Sequence, residues 1–150
     1  MLSVVIIGLG NIGYKYDLNT RKIQTHLKAI TKSKDLKING YIDIRKKNLK
    51  KKYNNIQYFP NILQASKKID PDIVVISAPT KNHYSLFKEA TKKFKSKLYV
   101  IEKPATGNIN DYQKINKISK KLNIFFLVNY IRLFEPSTLR IKKLIKKILK

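Results

Sequence analysis

The stretch Ser3-Val-Val-Ile-Ile-Gly8-Leu-Gly10-Asn-Ile-Gly13 decides how this chain folds. A short, unbroken, β-branched run that ends on glycine reads as a strand buried on both faces, the kind found in parallel sheets. The glycines that follow match G-x-G-x-x-G at a strand-to-helix turn. Gly8 permits the tight turn, Gly10 leaves room for a pyrophosphate to approach the backbone, and Gly13 lets helix and strand pack closely. The helix that opens there is expected to offer unpaired N–H groups and the positive end of its dipole to phosphates. Three of the chain's 5 glycines fall in this one motif. No Gly-Lys-Ser/Thr follows, which argues against a Walker-type phosphate loop.

Working outward, short apolar runs alternate with helical patterns. Residues 14–23 are polar and aromatic, with Asp17-Leu-Asn-Thr20 as turn material, and Thr25 is placed to cap a helix that begins at His26. Strands are expected at 36–43, 56–59, 73–77, 98–101 and 124–130. Helices are expected at 45–53, from Asn61 as cap through Lys68, and at 83–94, 111–122 and 137–149. Six strands alternating with helices predict an α/β, doubly wound parallel sheet with right-handed crossovers, the Rossmann arrangement, in a single domain over 1–150.

Composition narrows the class. The chain has no cysteine, which excludes disulfides, thiolate metal sites and cysteine nucleophiles. Its two histidines, His26 and His83, are far apart and suggest no metal cluster. The longest apolar run near the start, Val4 to Ile7, is too short to cross a bilayer, and no signal-peptide pattern precedes it, so the expected compartment is the cytoplasm. The net charge of +24 invites a nucleic-acid reading. Against it, the basic residues are 29 Lys and only 4 Arg, and they come with 22 Ile and 13 Asn. Base readout favours arginine. An A/T-rich coding bias raises Lys, Ile and Asn together and leaves a solvated lysine surface. The terminal helix, basic on one face and apolar on the other, is expected to pack against protein in preference to a membrane surface.

Asp43 ends the second strand, where a carboxylate can accept hydrogen bonds from the adenosine ribose hydroxyls. A 2′-phosphate would meet its charge, so NAD is expected over NADP. Arg45 nearby keeps NADP open, because it could pair with that phosphate. The distance from the glycines to Asp43 exceeds the usual ~20 residues, and the 14–25 insertion accounts for the excess.

Three later segments complete a pattern: Pro71-Asp-Ile-Val-Val-Ile-Ser-Ala-Pro-Thr-Lys-Asn-His83, Val100-Ile-Glu-Lys-Pro-Ala105 and Asn129-Tyr-Ile-Arg-Leu-Phe-Glu-Pro136. With the glycine motif, these resemble the Gfo/Idh/MocA oxidoreductases over essentially the whole chain. The resemblance implies an enzyme that oxidises the CH–OH group of a sugar, nucleotide-sugar or polyol. It puts Lys103 of Glu-Lys-Pro beside the nicotinamide as the catalytic residue, where an amine can take the hydroxyl proton as hydride departs. Glu102 would orient the site and Pro104 stiffen its turn. Ala78, Pro79 and Thr80 would lie against the ribose and nicotinamide half of the cofactor. With Gly8, Gly10, Asn11, Ile12, Gly13, Asp43, His83 and Glu102, they make up the expected cofactor contacts. His83 reads more readily as a residue that caps or orients the following helix, and His26 has a similar structural bias. Arg132 could reach an anionic substrate group or pair with Glu135.

Members of that family continue into a second domain that holds substrate. The chain is therefore expected to be the cofactor half of such an enzyme: a truncated or split frame, an excised domain or a natural single domain. A homo-oligomer or a completing subunit could supply the rest. The competing readings are a non-catalytic dinucleotide-binding module and a basic nucleic-acid-binding protein.

Overall fold

A computed structural model describes residues 1–148. Six strands form one all-parallel sheet: β1 (Leu2–Ile7), β2 (Leu36–Ile42), β3 (Tyr58–Phe59), β4 (Ile73–Ile76), β5 (Leu98–Ile101) and β6 (Phe125–Val128). Their order is β3-β2-β1-β4-β5-β6, so the winding reverses between β1 and β4. Five α-helices accompany them: α1 (His26–Lys32), α2 (Ile62–Ser66), α3 (His83–Lys93), α4 (Ile109–Leu122) and α5 (Pro136–Ile148). The expected doubly wound α/β sheet is the fold observed.

The two central strands show why. Val5, Ile7, Val74 and Ile76 point into one core, with Ile62, Phe87, Tyr99 and Ile115 from the elements on that side. Val4, Ile6, Ile73 and Val75 point into the other, under Leu27 and Ile30 of α1. Successive side chains of a strand take opposite faces. An uninterrupted apolar run therefore feeds two cores at once, which is what a centrally placed parallel strand requires.

Two helix starts follow the predicted caps, and a third uses a cap that was not expected. Thr25 accepts a hydrogen bond from Lys28 N–H, Asn61 from Gln64 N–H, and Asn108 from Asp111 N–H. The last of these moves the start of α4 two residues ahead of the expected one. Other boundaries shorten: α2 ends at Ser66, β3 has only two residues, and β6 stops at Val128.

Two larger expectations are corrected. Residues 45–53 form no lysine-rich helix; only Lys51–Tyr53 make a single 3-10 turn. The segment is held from outside. Asp43 accepts the N–H of Arg45, the Tyr41 hydroxyl accepts that of Lys47, and the Tyr14 hydroxyl accepts that of Lys50. Side chains that capture successive backbone donors compete directly with a helical ladder. The helix expected after the glycines is also only a five-residue π-helical turn, Asn11–Lys15. Beyond it, the insertion is built around Asp17, which is buried and accepts from Gln24 N–H, Thr25 N–H and the Thr25 hydroxyl. The buried Lys28 ammonium closes the same loop by donating to the carbonyls of Thr20 at 2.5 Å and Lys22 at 2.7 Å.

The predicted terminal helix is present as α5, with Pro136 at its first position; Leu149 lies outside the described residues. None of its residues is buried, and Ile141, Leu144, Ile145 and Ile148 are all exposed. Its apolar face is not packed on this domain. No helix among the described residues is long and apolar enough to cross a membrane.

Candidate functional site

Parallel strands deliver their carboxyl ends to one edge of the sheet, and the reversal between β1 and β4 opens a crevice there. Gly8, the first residue past β1, has φ +93°, and a Cβ on it would lie 2.7 Å from the backbone nitrogen of Ala78. The crossing from β1 into the glycine turn is thus pressed against the end of β4. A Cβ on Gly13 would collide with the Gly8 carbonyl oxygen, which the Ser77 hydroxyl also reaches, at 2.6 Å. Gly10 differs: a Cβ there meets nothing within 4 Å. Its space is open and faces the cavity.

That cavity, about 490 Å³, is lined by Gly8, Gly10, Asp43, Arg45, Ala78 and Pro79, together with residues of α2 and α3. Its size suits a cofactor moiety held at one side of the switch point. Asp43 is fixed at its wall. One carboxylate oxygen accepts Leu9 N–H at 2.9 Å, and the other accepts Arg45 N–H at 3.1 Å and the Lys47 ammonium at 3.0 Å. Burial pushes the Asp43 carboxyl up, but the bonds from Leu9, Lys47 and Arg45 outweigh it and hold the group below its ordinary value. Asp43 therefore stays anionic while it ties the end of β2 to the glycine turn. Nothing in the sequence marked Lys47 as its partner, because one lysine among so many carries no local signal.

The remaining predicted residues fall into a second group. Asn11 and Ile12 belong to the π-helical turn, and Ile12 lines a separate groove of about 440 Å³, which His26 and Asn129 also line. A five-residue turn has little macrodipole. Its first N–H groups nonetheless lack intrahelical acceptors and are the donors available to a phosphate. Thr80 opens a short 3-10 turn before α3 and does not line the cavity. Lys103, at the end of β5, is exposed and also outside that cavity, one strand beyond β4. Arg132 is exposed in the Ile131–Phe134 turn.

Glu102 is buried, and one of its oxygens accepts from both His26 Nε2 and Asn129 Nδ2 at 2.6 Å. Burial raises its carboxyl pKa, but the hydrogen bonds from His26 and Asn129 outweigh it, and the net shift is downward. His83 is 1% exposed and does not line the cavity. Its Nε2 faces the Ala78 carbonyl at 2.7 Å and its Nδ1 the carbonyls of Pro104 and Ala105 at 3.1 and 3.2 Å. It sits at the first position of α3, after a cap residue, Asn82, that makes no side-chain bond. Its ring serves loop-to-loop contact instead of capping. The pairing of His26 with Glu102 spans 76 positions, and the sequence held no signal for it. Among the described residues, no three His, Asp or Glu side chains gather as a metal site.

The glycine turn, the switch-point crevice and the acidic residue ending β2 define a dinucleotide-binding Rossmann domain. Residues 2–130 match the family described as an oxidoreductase family with an NAD-binding Rossmann fold, Gfo/Idh/MocA, and the chain belongs to that family. Its cofactor class is a nicotinamide dinucleotide. Among solved structures, yvaA of Bacillus subtilis, described as an oxidoreductase, superposes with a TM-score of 0.81 at 18% identity, covering 98% of this chain and 40% of its own. Myo-inositol 2-dehydrogenase from Lactobacillus plantarum gives 0.73 at 20% identity, covering 97% and 41% respectively. UDP-N-acetylglucosamine 3-dehydrogenase GnnA from Acidithiobacillus ferrooxidans gives 0.67 at 16%, covering 95% and 41%. At these identities the likeness is one of fold, and the chain spans about 40% of the length of yvaA. No curated protein matches the sequence.

Proposed function

We propose that this chain binds NAD across the carboxyl edge of the sheet, as the cofactor half of a dehydrogenase acting on a CH–OH group. The observation that carries this reading is the convergence of Gly8, Gly10, Asp43, Ala78 and Pro79 on one cavity at the switch point. The open space at Gly10 fits the cofactor's pyrophosphate, because a backbone without a Cβ permits close approach there. Asp43 would hold the ribose hydroxyls of the adenosine half, and Ala78 and Pro79 would lie against the half that carries the nicotinamide. Asp43 favours NAD over NADP. Arg45 and Lys47 lie close enough to moderate that preference.

When bound, the nicotinamide supplies the hydride acceptor or donor. The chain's own part in chemistry falls to Lys103: its amine takes the substrate's hydroxyl proton in oxidation and returns it in reduction. Glu102 orients that end of β5. The substrate class is a sugar, nucleotide-sugar or polyol, in keeping with the alcohols named for two of the structural neighbours. In this reading residues 1–150 are one dinucleotide-binding domain. The walls that hold substrate in a reactive geometry come from a further domain or a completing subunit.

The test is calorimetric titration with NADH and NADPH at physiological salt, using Gly10→Val as control. Saturable NADH binding, tighter than NADPH and abolished by the substitution, is expected. No binding of either cofactor would refute the reading. Competition by duplex DNA that falls steeply with salt would point to a basic nucleic-acid-binding protein instead.

A further inference from the structure

Lys103 itself is exposed, yet the chain on both sides of it is tied down by side chains from elsewhere. On the amino side, the buried Glu102 carboxylate accepts from His26, the first residue of α1, and from Asn129, the first residue past β6, both at 2.6 Å. Its second oxygen takes the N–H of Lys103 at 3.3 Å. On the carboxyl side, the buried His83 ring of α3 faces the Pro104 and Ala105 carbonyls and, through its other nitrogen, the Ala78 carbonyl at 2.7 Å. Side chains from α1, α3 and the end of β6 thus converge on Glu102, Pro104 and Ala105, which flank one exposed amine.

Packing alone does not ask for this. A buried carboxylate is costly unless its lone pairs are filled, and an apolar residue could close the same space. What polar contacts add is direction: a hydrogen-bonded carboxylate holds its backbone to a fraction of an ångström where a hydrophobic contact lets it slide. Lysine has a long, rotatable stem, so the placement of its amine depends on where its Cα is held.

We propose that His26 and Asn129 are positioning residues that act through Glu102, with His83 opposing them from the other side. Together they hold the Lys103 backbone so that its amine meets the nicotinamide end of the cofactor. This rests on the NAD-binding reading above. Neither His26 nor Asn129 lines the adenosine cavity, so their effect is confined to the Lys103 end.

The experiment follows acylation of individual lysines in the full chain by a hydroxysuccinimide ester, read by peptide mass spectrometry, with and without saturating NADH. In the native protein, NADH slows labelling of Lys103 about tenfold, and the remote surface lysines act as internal controls. In His26→Ala and Asn129→Ala that protection falls to about twofold or less, while ADP binds as in the native protein. His26→Gln keeps a donor for Glu102 and restores protection, which a purely structural role would not require. Full protection of Lys103 in both alanine variants would overturn the proposal. Failure of NADH to bind the native chain would instead refute the function proposed above. In that case hydrogen exchange of the Lys103 amide decides the positioning claim without ligand. Exchange about tenfold faster in both alanine variants, with β1 and β4 unchanged, supports it, and unchanged exchange overturns it.

Discussion

Two substitutions in the same turn, Gly8→Ala and Gly10→Ala, are expected to fail in opposite ways. At Gly8 the backbone has φ +93°, where an L-residue is strained, and the new Cβ would stand 2.7 to 2.9 Å from backbone atoms of Ser77 and Ala78. The dihedral penalty alone is about 1–3 kcal/mol. The contacts are with backbone just past β4, which cannot rotate away as a side chain could, so overpacking adds roughly 1–3 kcal/mol. The sum, about 2–6 kcal/mol, is a large share of the ~5–15 kcal/mol that holds a domain of this size together. Gly10 has φ −79°, outside the left-handed region, and its Cβ meets nothing within 4 Å. Alanine there is expected to cost much less stability than at Gly8, because no neighbouring atom has to move. Its methyl group nevertheless occupies the space assigned to the pyrophosphate. Urea denaturation should therefore show a large loss for Gly8→Ala and a much smaller change for Gly10→Ala. NADH titration of Gly10→Ala should show affinity falling about tenfold or more. Equal destabilisation by the two changes, or native NADH affinity in Gly10→Ala, would refute the division of roles within the motif.

Asp43→Asn removes the anionic acceptor from the cavity wall; the NADH dissociation constant should rise about tenfold or more while that for NADPH rises less, read by parallel titrations. Glu102 has a folded pKa below its ordinary value, so its contribution to stability is present above the unfolded pKa and is lost as pH falls through the folded one. Urea midpoints measured from neutral to acidic pH should accordingly drop in the native protein and drop less in Glu102→Gln. Lys28→Met leaves the carbonyls of Thr20 and Lys22 without their donor and should destabilise by about 1–3 kcal/mol. The accompanying hydrogen-exchange loss is expected in residues 17–24 and not in the central strands.

The sheet was legible in the chain because its causes are local. The run before Gly8 and the run at 73–76 are apolar at every position, and a strand with both faces buried needs nothing else to declare itself. The caps at Thr25 and Asn61 are equally local, since a side-chain oxygen reaches an N–H three residues on. The glycine motif and Asp43 belong to the same class: their roles follow from where a strand ends. Residues 45–53 depart from the helix their sequence suggests for the converse reason. Their helical appearance came from lysine-rich composition, and what shapes them is a set of hydroxyl and carboxylate acceptors on Tyr14, Tyr41 and Asp43. The insertion at 14–25 passed for plain turn material because Asp17 gains its meaning only from the N–H groups that fold around it.

The amino-acid sequence by itself determined the α/β class, the position of the dinucleotide turn and the acidic residue at its wall. Each follows from hydrogen-bonding and burial rules that act within a few residues. Only the tertiary structure decided that Glu102 is gripped by His26 and Asn129, and that His83 ties Ala78 to the loop after Lys103. It alone also showed that Lys103 stands outside the cavity that the glycines and Asp43 share. Apart from the short-range pairing of His83 with Ala78, those contacts join residues 21 to 76 positions apart, between α1, α3 and the ends of β5 and β6. A polar side chain's partner at such distances is set by which strand ends the sheet brings side by side, and no local pattern encodes that adjacency.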